Sequence, residues 1–576
     1  VTVIAVVAVV AVIAILVVAA SFGATAGRTG AVETASTVEP QGVPALMPAA
    51  SQNRSAAIVA VLPNPTADGD AGEYVAVRLP PGNWVLSDGE TTVRLRGPGR
   101  VVVTATPRAL PNGTAGRVVT ADLGLANGGE RLRLAHVTAN STANSTASAS
   151  TRTGRTVHIV RYREAPPGHR WLPAERVWQP VGYEPRSVVA LGASNVTAFV
   201  LPDAPAVPIE TIRSADERIL LAGYTFASER VAAALERAAA RGVTVKVLLD
   251  ADPVGGISER QAALLTRLHR AGIPVELVGG DAARFRFHHP KYAVVDDRAL
   301  VMTENWKPAG TGGNGSRGWG VRLDSDRAAS ELAAVFRHDW RGSDARPWPT
   351  VRRGRTFEHA PPARESFPRA FAPETFRPNA TFLLTAPGNA GSGVVSVLDT
   401  ADRRIEVTQP TIERGRLLTA TKRAAERGVT VRILVSGAWY VEEDNRALVA
   451  SLNDWAQRTG APLTAKIVDP GDAFGKIHAK GVVADDTVVV GSLNWNPTSA
   501  GENREVAVAL RGNEVANYYS AVFTADWRGP EQSSFGALGG EGIPFPPLLA
   551  IAGVGAVAGV ALLLKRRIRF AEETRR

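Results

Sequence analysis

The sequence predicts a multidomain chain. A small all-β (Ig-like) sandwich is followed by a pseudo-twofold pair of α/β halves, with one or two terminal transmembrane helices. Three observations carry this. Short β-branched runs separated by turn residues crowd one stretch near the start. An α/β texture then occurs twice, with matched blocks in the same order. Both ends are apolar over lengths that suit a membrane.

The bulk properties bound the partners. The 576 residues allow roughly four units at ~150 residues each. A hydrophobic fraction of 45% permits real cores. A net charge of +10 and a pI of 10.0 favour anionic partners: nucleic acid, phospholipid headgroups or phosphate esters. There is no cysteine, which excludes disulfides, thiolate metal sites and cysteine nucleophiles. Arginine dominates the positive charge; only eight lysines occur, and two of them sit in H-x-K triplets.

In chain order, residues 3–20 are almost continuously apolar, and "ATAG" (24–27) offers a small-residue cleavage site. Residues 1–27 are therefore expected to be a signal peptide or N-terminal membrane segment. Residues 28–56 are rich in Pro, Thr, Ala and Ser without a period and read as a flexible stalk. The β-like runs "IVAVLP", "EYVAVRL", "NWVLSD", "TTVRLR" and "RVVVTA" follow, placing the sandwich at 57–183. Within it, Asn64–Pro65, the Gly72–Val75 stretch and the W-x-L-S-D-G turn from Trp84 to Gly89 resemble the lamin-tail domain. That resemblance implies a β-sandwich and names no catalytic residue. The low-complexity insert 139–154 reads as an exposed loop.

The α/β texture begins near residue 189. "RAAARGVTVKVLLD" (237–250) recurs as "RAAERGVTVRILVS" (423–436), an Ala-rich helix with an Arg-Gly C-cap followed by a strand. "FRHDWRG" (336–342) recurs as "FTADWRG" (523–529). The halves are read as 189–345 and 382–530, joined by a Pro/Arg-rich linker, 346–381. Residues 548–564 are apolar and "KRRIR" (565–569) follows at once. This predicts a transmembrane helix at 546–565 with a cytoplasmic basic tail, 566–576, and a body on the extracellular side of the cell membrane. Sequons at Asn53, Asn112, Asn140, Asn144, Asn195, Asn314 and Asn379 agree with an exported body and suggest N-linked glycans.

Both halves contain H-x-K-x-x-x-x-D: His289, Lys291, Asp296 and His478, Lys480, Asp485. An apolar strand and a polar turn lead each to an Asn-Trp pair, Asn305–Trp306 and Asn494–Trp495. This double motif resembles the phospholipase D superfamily, over more than half the chain. Residues two apart in a strand share a face, so each His projects with its Lys. Packed about a pseudo-twofold axis, the four side chains ring one phosphate. The resemblance implies a phosphohistidine mechanism: one histidine attacks phosphorus, and the other protonates the leaving oxygen. Lysines and asparagine amides stabilise the charge, and neither metal nor cofactor is expected.

The family's roles carry over residue by residue. Ser492 and Asn494 match the Ser and Asn of its Gly-Ser-x-Asn signature, with Thr303 and Asn305 as their first-half counterparts; all four are expected to bind phosphate. Glu505 matches the acid that orients a histidine. The first half departs from the pattern: "MTEN" (302–305) replaces "GSLN", and Gly318 aligns with Glu505. With Glu505 assigned to His478, His289 is expected to be the nucleophile and His478 the general acid, although the same carboxylate equally suits His478 as nucleophile. Asp296 and Asp485 are expected to bond the turn after the strand. His288 reads as packing on the opposite face, Trp306 and Trp495 as core or rim aromatics, and Glu304 as a solvated turn residue. The function expected is a membrane-anchored, outward-facing phosphodiesterase acting on nucleic acid or phospholipid. Met302 and Gly318 motivate an alternative, a surface-binding protein with a decayed site. The oligomeric state is left open.

Overall fold

The computed structural model describes residues 55–137, 155–181, 183, 185–281 and 283–529. The expected signal segment, nearly all of the stalk, the insert, the transmembrane helix and tail, and Asn53, Asn140 and Asn144 lie outside them. Among the described residues no helix is long and apolar enough to cross a membrane.

The N-terminal domain is one eight-stranded sheet folded on a shared core rather than two separate sheets. The long hairpin Tyr74–Ser87 and Thr92–Thr104 runs through it, with a bulge between Leu79 and Gly82. Before the bulge the first strand pairs with Ala57–Leu62, and after it with Gly129–Val137. The bend lets one hairpin serve both faces of the core. The turn is set by Asp88, whose Oδ1 accepts the N–H groups of Glu90 and Thr91. Trp84 is buried there.

The α/β halves repeat one strand order. The first sheet runs Ala345–Pro347, Val275–Val278, Thr244–Asp250, Arg218–Ala222, Tyr292–Val295, Arg298–Met302, Ser316–Asp324, Asn195–Leu201, Glu374–Phe376. The second runs Leu463–Ile467, Thr430–Val435, Arg404–Gln409, Gly481–Ala484, Thr487–Gly491, Glu505–Arg511, Ala380–Ala386, Val189–Ala190. The Ala-rich helices end as their sequence dictates: Gly242 and Gly428 take φ of +93° and +96°, a conformation glycine enters without strain. The edge strands are exchanged relative to the sequence reading. Val189–Ala190 pairs with the second half, and Glu374–Phe376, from the linker, pairs with the first.

One core lies between the two sheets and draws on both, including Tyr292, Val301 and Trp319 with Ile477, Val506 and Tyr519. Two further cores fill the space under the outer helices of each half. The recurring "DWRG" blocks have a role here. Asp339 of the first half binds Arg504 of the second at 2.7 Å, and Asp526 of the second binds Arg317 of the first at 3.0 Å. All four side chains are buried. A buried charge is tolerated only when paired in this way, so each block locks its half to the other.

Candidate active site

The two H-x-K segments do not stay with their own sheets. The His289 N–H donates to the carbonyl of Arg504, and the His478 N–H to that of Arg317, both at 3.0 Å. Each motif thus runs alongside a strand of the other half, and Lys476–Ile477 pairs in parallel with Ser316–Arg317. This crossing decides which acid meets which histidine.

Glu505 follows Arg504, so its carboxylate falls on His289. Nδ1 of His289 lies 2.9 Å from both carboxylate oxygens. The acid therefore holds the proton on Nδ1 and leaves the Nε2 lone pair free. Glu505 is itself fixed by Ser499 Oγ at 2.7 Å and Asn503 Nδ2 at 3.1 Å. The assignment of Glu505 to His478 is corrected: pairing in trans places it on the histidine of the opposite half.

His478 meets Glu304, whose Oε2 lies 3.1 Å from Nδ1. Glu304 is fully buried, which corrects its reading as a solvated turn residue. The reason lies at Gly318. It stands opposite Leu201, as Glu505 stands opposite Ala386, so the two positions are equivalent. A Cβ at 318 would come within 2.2 Å of Glu304 Cγ. The carboxylate missing from the strand is supplied by the turn, and glycine leaves the space it occupies.

Two further expectations are corrected. Thr303 Oγ1 accepts the Trp319 N–H at 2.9 Å, and Ser492 Oγ accepts the Val506 N–H at 3.0 Å. Both hydroxyls are fully buried, and the bond each makes ties the motif turn to the next strand, a structural role where a phosphate contact was expected. The asparagines differ. Asn305 Oδ1 has no hydrogen-bond partner, and the partly exposed Asn494 side chain bonds to no described residue. Asp296 and Asp485 close the motif turns, each accepting three backbone N–H groups, from residues 216–218 and 402–404. His288 and Trp306 are buried, and Trp306 Nε1 donates to the Ala222 carbonyl.

Lys291 and Lys480 are buried, and their Nζ atoms donate to the carbonyls of His289 and His478 at 2.6 and 2.7 Å. Burial drives both below the ordinary lysine range, Lys480 to about 8, against the pull of Glu505 and Glu304. Burial lowers His289 to about 4, opposed by Glu505 and aided by Lys291 and Lys480. His478 is pushed well below its ordinary value by burial and then by Lys480, Lys291, Lys307 and Lys476. The carboxylates diverge. Burial raises Glu304 to about 7, whereas His289 and Lys291 outweigh burial at Glu505 and hold it below its usual value. The dyads are therefore unequal. On the His289 side the carboxylate stays ionised and anchored, while Glu304 Oε1 has no hydrogen-bond partner.

Sequence reasoning missed Glu304, Tyr224, Ser499, Asn503, Lys307 and Lys476. Tyr224 packs edge-on against His289 at 4.7 Å. A signal existed for two of them. An acid stood in the turn of the half that lacked one on its strand, and Lys476 is a rare lysine two residues before His478.

Residues 209–340 and 394–527 match the family model described as cardiolipin synthase, PLD-like domain. The match falls twice, once in each α/β half. No curated protein matches the chain. Among solved structures, a phosphatidylserine synthase from Haemophilus influenzae Rd KW20 is 14% identical, covering 58% of this chain and 86% of its own, with a TM-score of 0.45. A phospholipase D family member, Nuc, from Salmonella typhimurium is 23% identical over 26% of this chain and 96% of its own, with a TM-score of 0.24. NucT from Helicobacter pylori is 18% identical over 26% and 95%, with a TM-score of 0.23.

Proposed function

We propose that the two PLD-like repeats form a single phosphodiesterase site that works through a phosphohistidine, on a chain anchored in the cell membrane with its body outside. The observation that carries this reading is the pair of crossed dyads, His289–Glu505 and His478–Glu304, with a buried lysine beside each histidine. Nε2 of His289 attacks phosphorus, the bond to the leaving oxygen breaks, and His478 gives that oxygen its proton. A water then attacks phosphorus, the P–Nε2 bond breaks to return the lone pair to His289, and His478 takes the water's proton. Lys291, Lys480 and the Asn305 and Asn494 amides hold the phosphoryl oxygens. The anchor and orientation rest on the apolar ends, the basic flank and the sequons. The matched family description favours phospholipid as substrate, and the basic charge favours nucleic acid. The N-terminal sheet is proposed as lamin-tail-like on its W-x-L-S-D-G turn.

The decayed-site reading loses one of its two motives, because Glu304 fills the space at Gly318. The test is turnover of single-stranded DNA, double-stranded DNA, RNA and phospholipid vesicles by the purified body. One class is expected to be cleaved, with loss of ~10³-fold or more in both His289→Ala and His478→Ala. Tight binding without turnover of any diester would favour the binding-protein reading instead.

The charge balance yields a further expectation. Burial and then the charges of Lys480, Lys291, Lys307 and Lys476 oppose protonation of His478, and a bound anion cancels part of the lysines' field. Sulfate carries no titrating proton near neutrality. Its binding at pH 7 is expected to take up protons, read by calorimetry in buffers of different ionisation enthalpy. The uptake shrinks in His478→Ala. Release of protons on binding would contradict this account.

A further inference from the structure

The two sides of the histidine pair are built differently. Along each motif segment, residues two apart share a face. In the second half that face reads Lys476, His478, Lys480; in the first it reads Phe287, His289, Lys291. On the His289 side Phe287 packs edge-on against Tyr224, with ring centroids 5.8 Å apart. On the His478 side Lys476 lies 4.9 Å from the centre of the Tyr440 ring. The residue after Trp306 is Lys307, where the second half has Asn496 after Trp495.

Lys307 and Lys476 are both partly buried. Neither makes a hydrogen bond through Nζ or an ion pair with a described residue. Each is close enough to act on the charge of its surroundings. Lys307 interacts with Glu304 and with the charges of Lys476, Lys291 and Lys480, and Lys476 with Glu304, Lys307 and Lys480. That carboxylate is shared, its Oε2 being bonded to His478. The charges of half of the chain's eight lysines (Lys291, Lys307, Lys476 and Lys480) thus act on one histidine. Two amines in a partly desolvated place with no carboxylate of their own call for an anion. Lysine suits this task as a compact, mobile point charge.

We propose that Lys307 and Lys476 form a second anion subsite on the His478 side, which holds the neighbouring phosphate of a single-stranded polynucleotide. This rests on the phosphodiesterase reading above and deepens it. His478 protonates the leaving oxygen in that reading, so the second phosphate belongs to the leaving strand. Trp439 and Tyr440 favour a polynucleotide. They are 62% and 44% exposed and meet edge to face at 5.6 Å, beside Lys476. Exposed aromatics next to a cationic groove stack bases without regard to sequence.

The test compares three dinucleotides with the purified body: thymidylyl-thymidine, and the same compound carrying a terminal phosphate at its 5′ or its 3′ end. One of the two phosphorylated forms is expected to show about tenfold higher kcat/KM. Lys307→Gln with Lys476→Gln brings that ratio close to one. The wild-type preference is itself a test that needs no variant. Equal kcat/KM for all three, or a preference that survives both substitutions, overturns the subsite. Cleavage of phospholipid vesicles but of no dinucleotide overturns the polynucleotide while leaving the phosphodiesterase reading intact. If even the activated diester bis(p-nitrophenyl) phosphate is not turned over, the failure lies in that reading itself.

Discussion

Replacing Glu304 by leucine is expected to lower kcat by ~10²-fold, and adding Gly318→Glu to that variant to recover at least about tenfold of the loss. Leucine is the residue the second half carries at the equivalent turn position, Leu493, and glutamate is what it carries on the strand, Glu505. The double variant therefore rebuilds the first half on the plan of the second. The expectation follows from the crossing of the motif segments. Position 318 succeeds Arg317, whose carbonyl binds the His478 N–H, just as Glu505 succeeds Arg504 beside His289. An acid restored at 318 reaches His478 by the route Glu505 takes to His289. Gly318→Glu alone is expected to be destabilised, because its Cβ would lie 2.2 Å from Glu304 Cγ. The two substitutions are each harmful and together less harmful. Simple loss of packing gives the opposite, additive result. Glu304→Leu also shifts the alkaline limb of the pH–rate profile, since it removes the carboxylate that supports the His478 cation.

Much of this arrangement was legible in the residues. The doubled H-x-K-x-x-x-x-D, the repeated Ala-rich helices with Arg-Gly ends and the paired "DWRG" blocks carry their own geometry. Spacing of two puts His and Lys on one face, and glycine after arginine stops a helix. What spacing within one half cannot reveal is pairing between halves. Glu505 aligns with Gly318 along the chain, yet each position serves the histidine of the opposite half. Alignment alone therefore made one dyad look incomplete and sent Glu505 to His478. The hydroxyls of Thr303 and Ser492 were misread for a related reason. A hydroxyl at a motif turn looks exposed to phosphate until the adjacent strand packs over it and bonds to it. The exchange of Val189–Ala190 and Glu374–Phe376 has a similar origin. Two- and three-residue edge strands have no periodicity to place them.

The histidines are expected to fail in different ways, and this is the other large effect. His289 is held to about 4 and bonded through Nδ1 to an ionised Glu505, so its Nε2 is free to attack across the neutral range. His289→Ala removes turnover of every diester, including one with a good leaving group. His478 is needed to protonate a poor leaving group and later to activate water. With p-nitrophenolate as leaving group the first need disappears. His478→Ala then releases about one equivalent of p-nitrophenolate in a burst and stalls. On a nucleotide or lipid diester the same variant loses ~10³-fold or more, because the alkoxide leaves unprotonated. The acid limb agrees in sign. Activity falls as pH drops towards 4, where the His289 lone pair is lost to protonation.

The most direct measurement is mass spectrometry of the His478→Ala variant quenched after that burst, with alkaline handling to preserve phosphohistidine. The account predicts about one phosphoryl adduct per chain, on His289. An adduct on His478 in the His289→Ala variant, with none on His289 in His478→Ala, would reverse the assignment. Absence of an adduct from both variants, with turnover retained, would contradict the phosphohistidine mechanism itself.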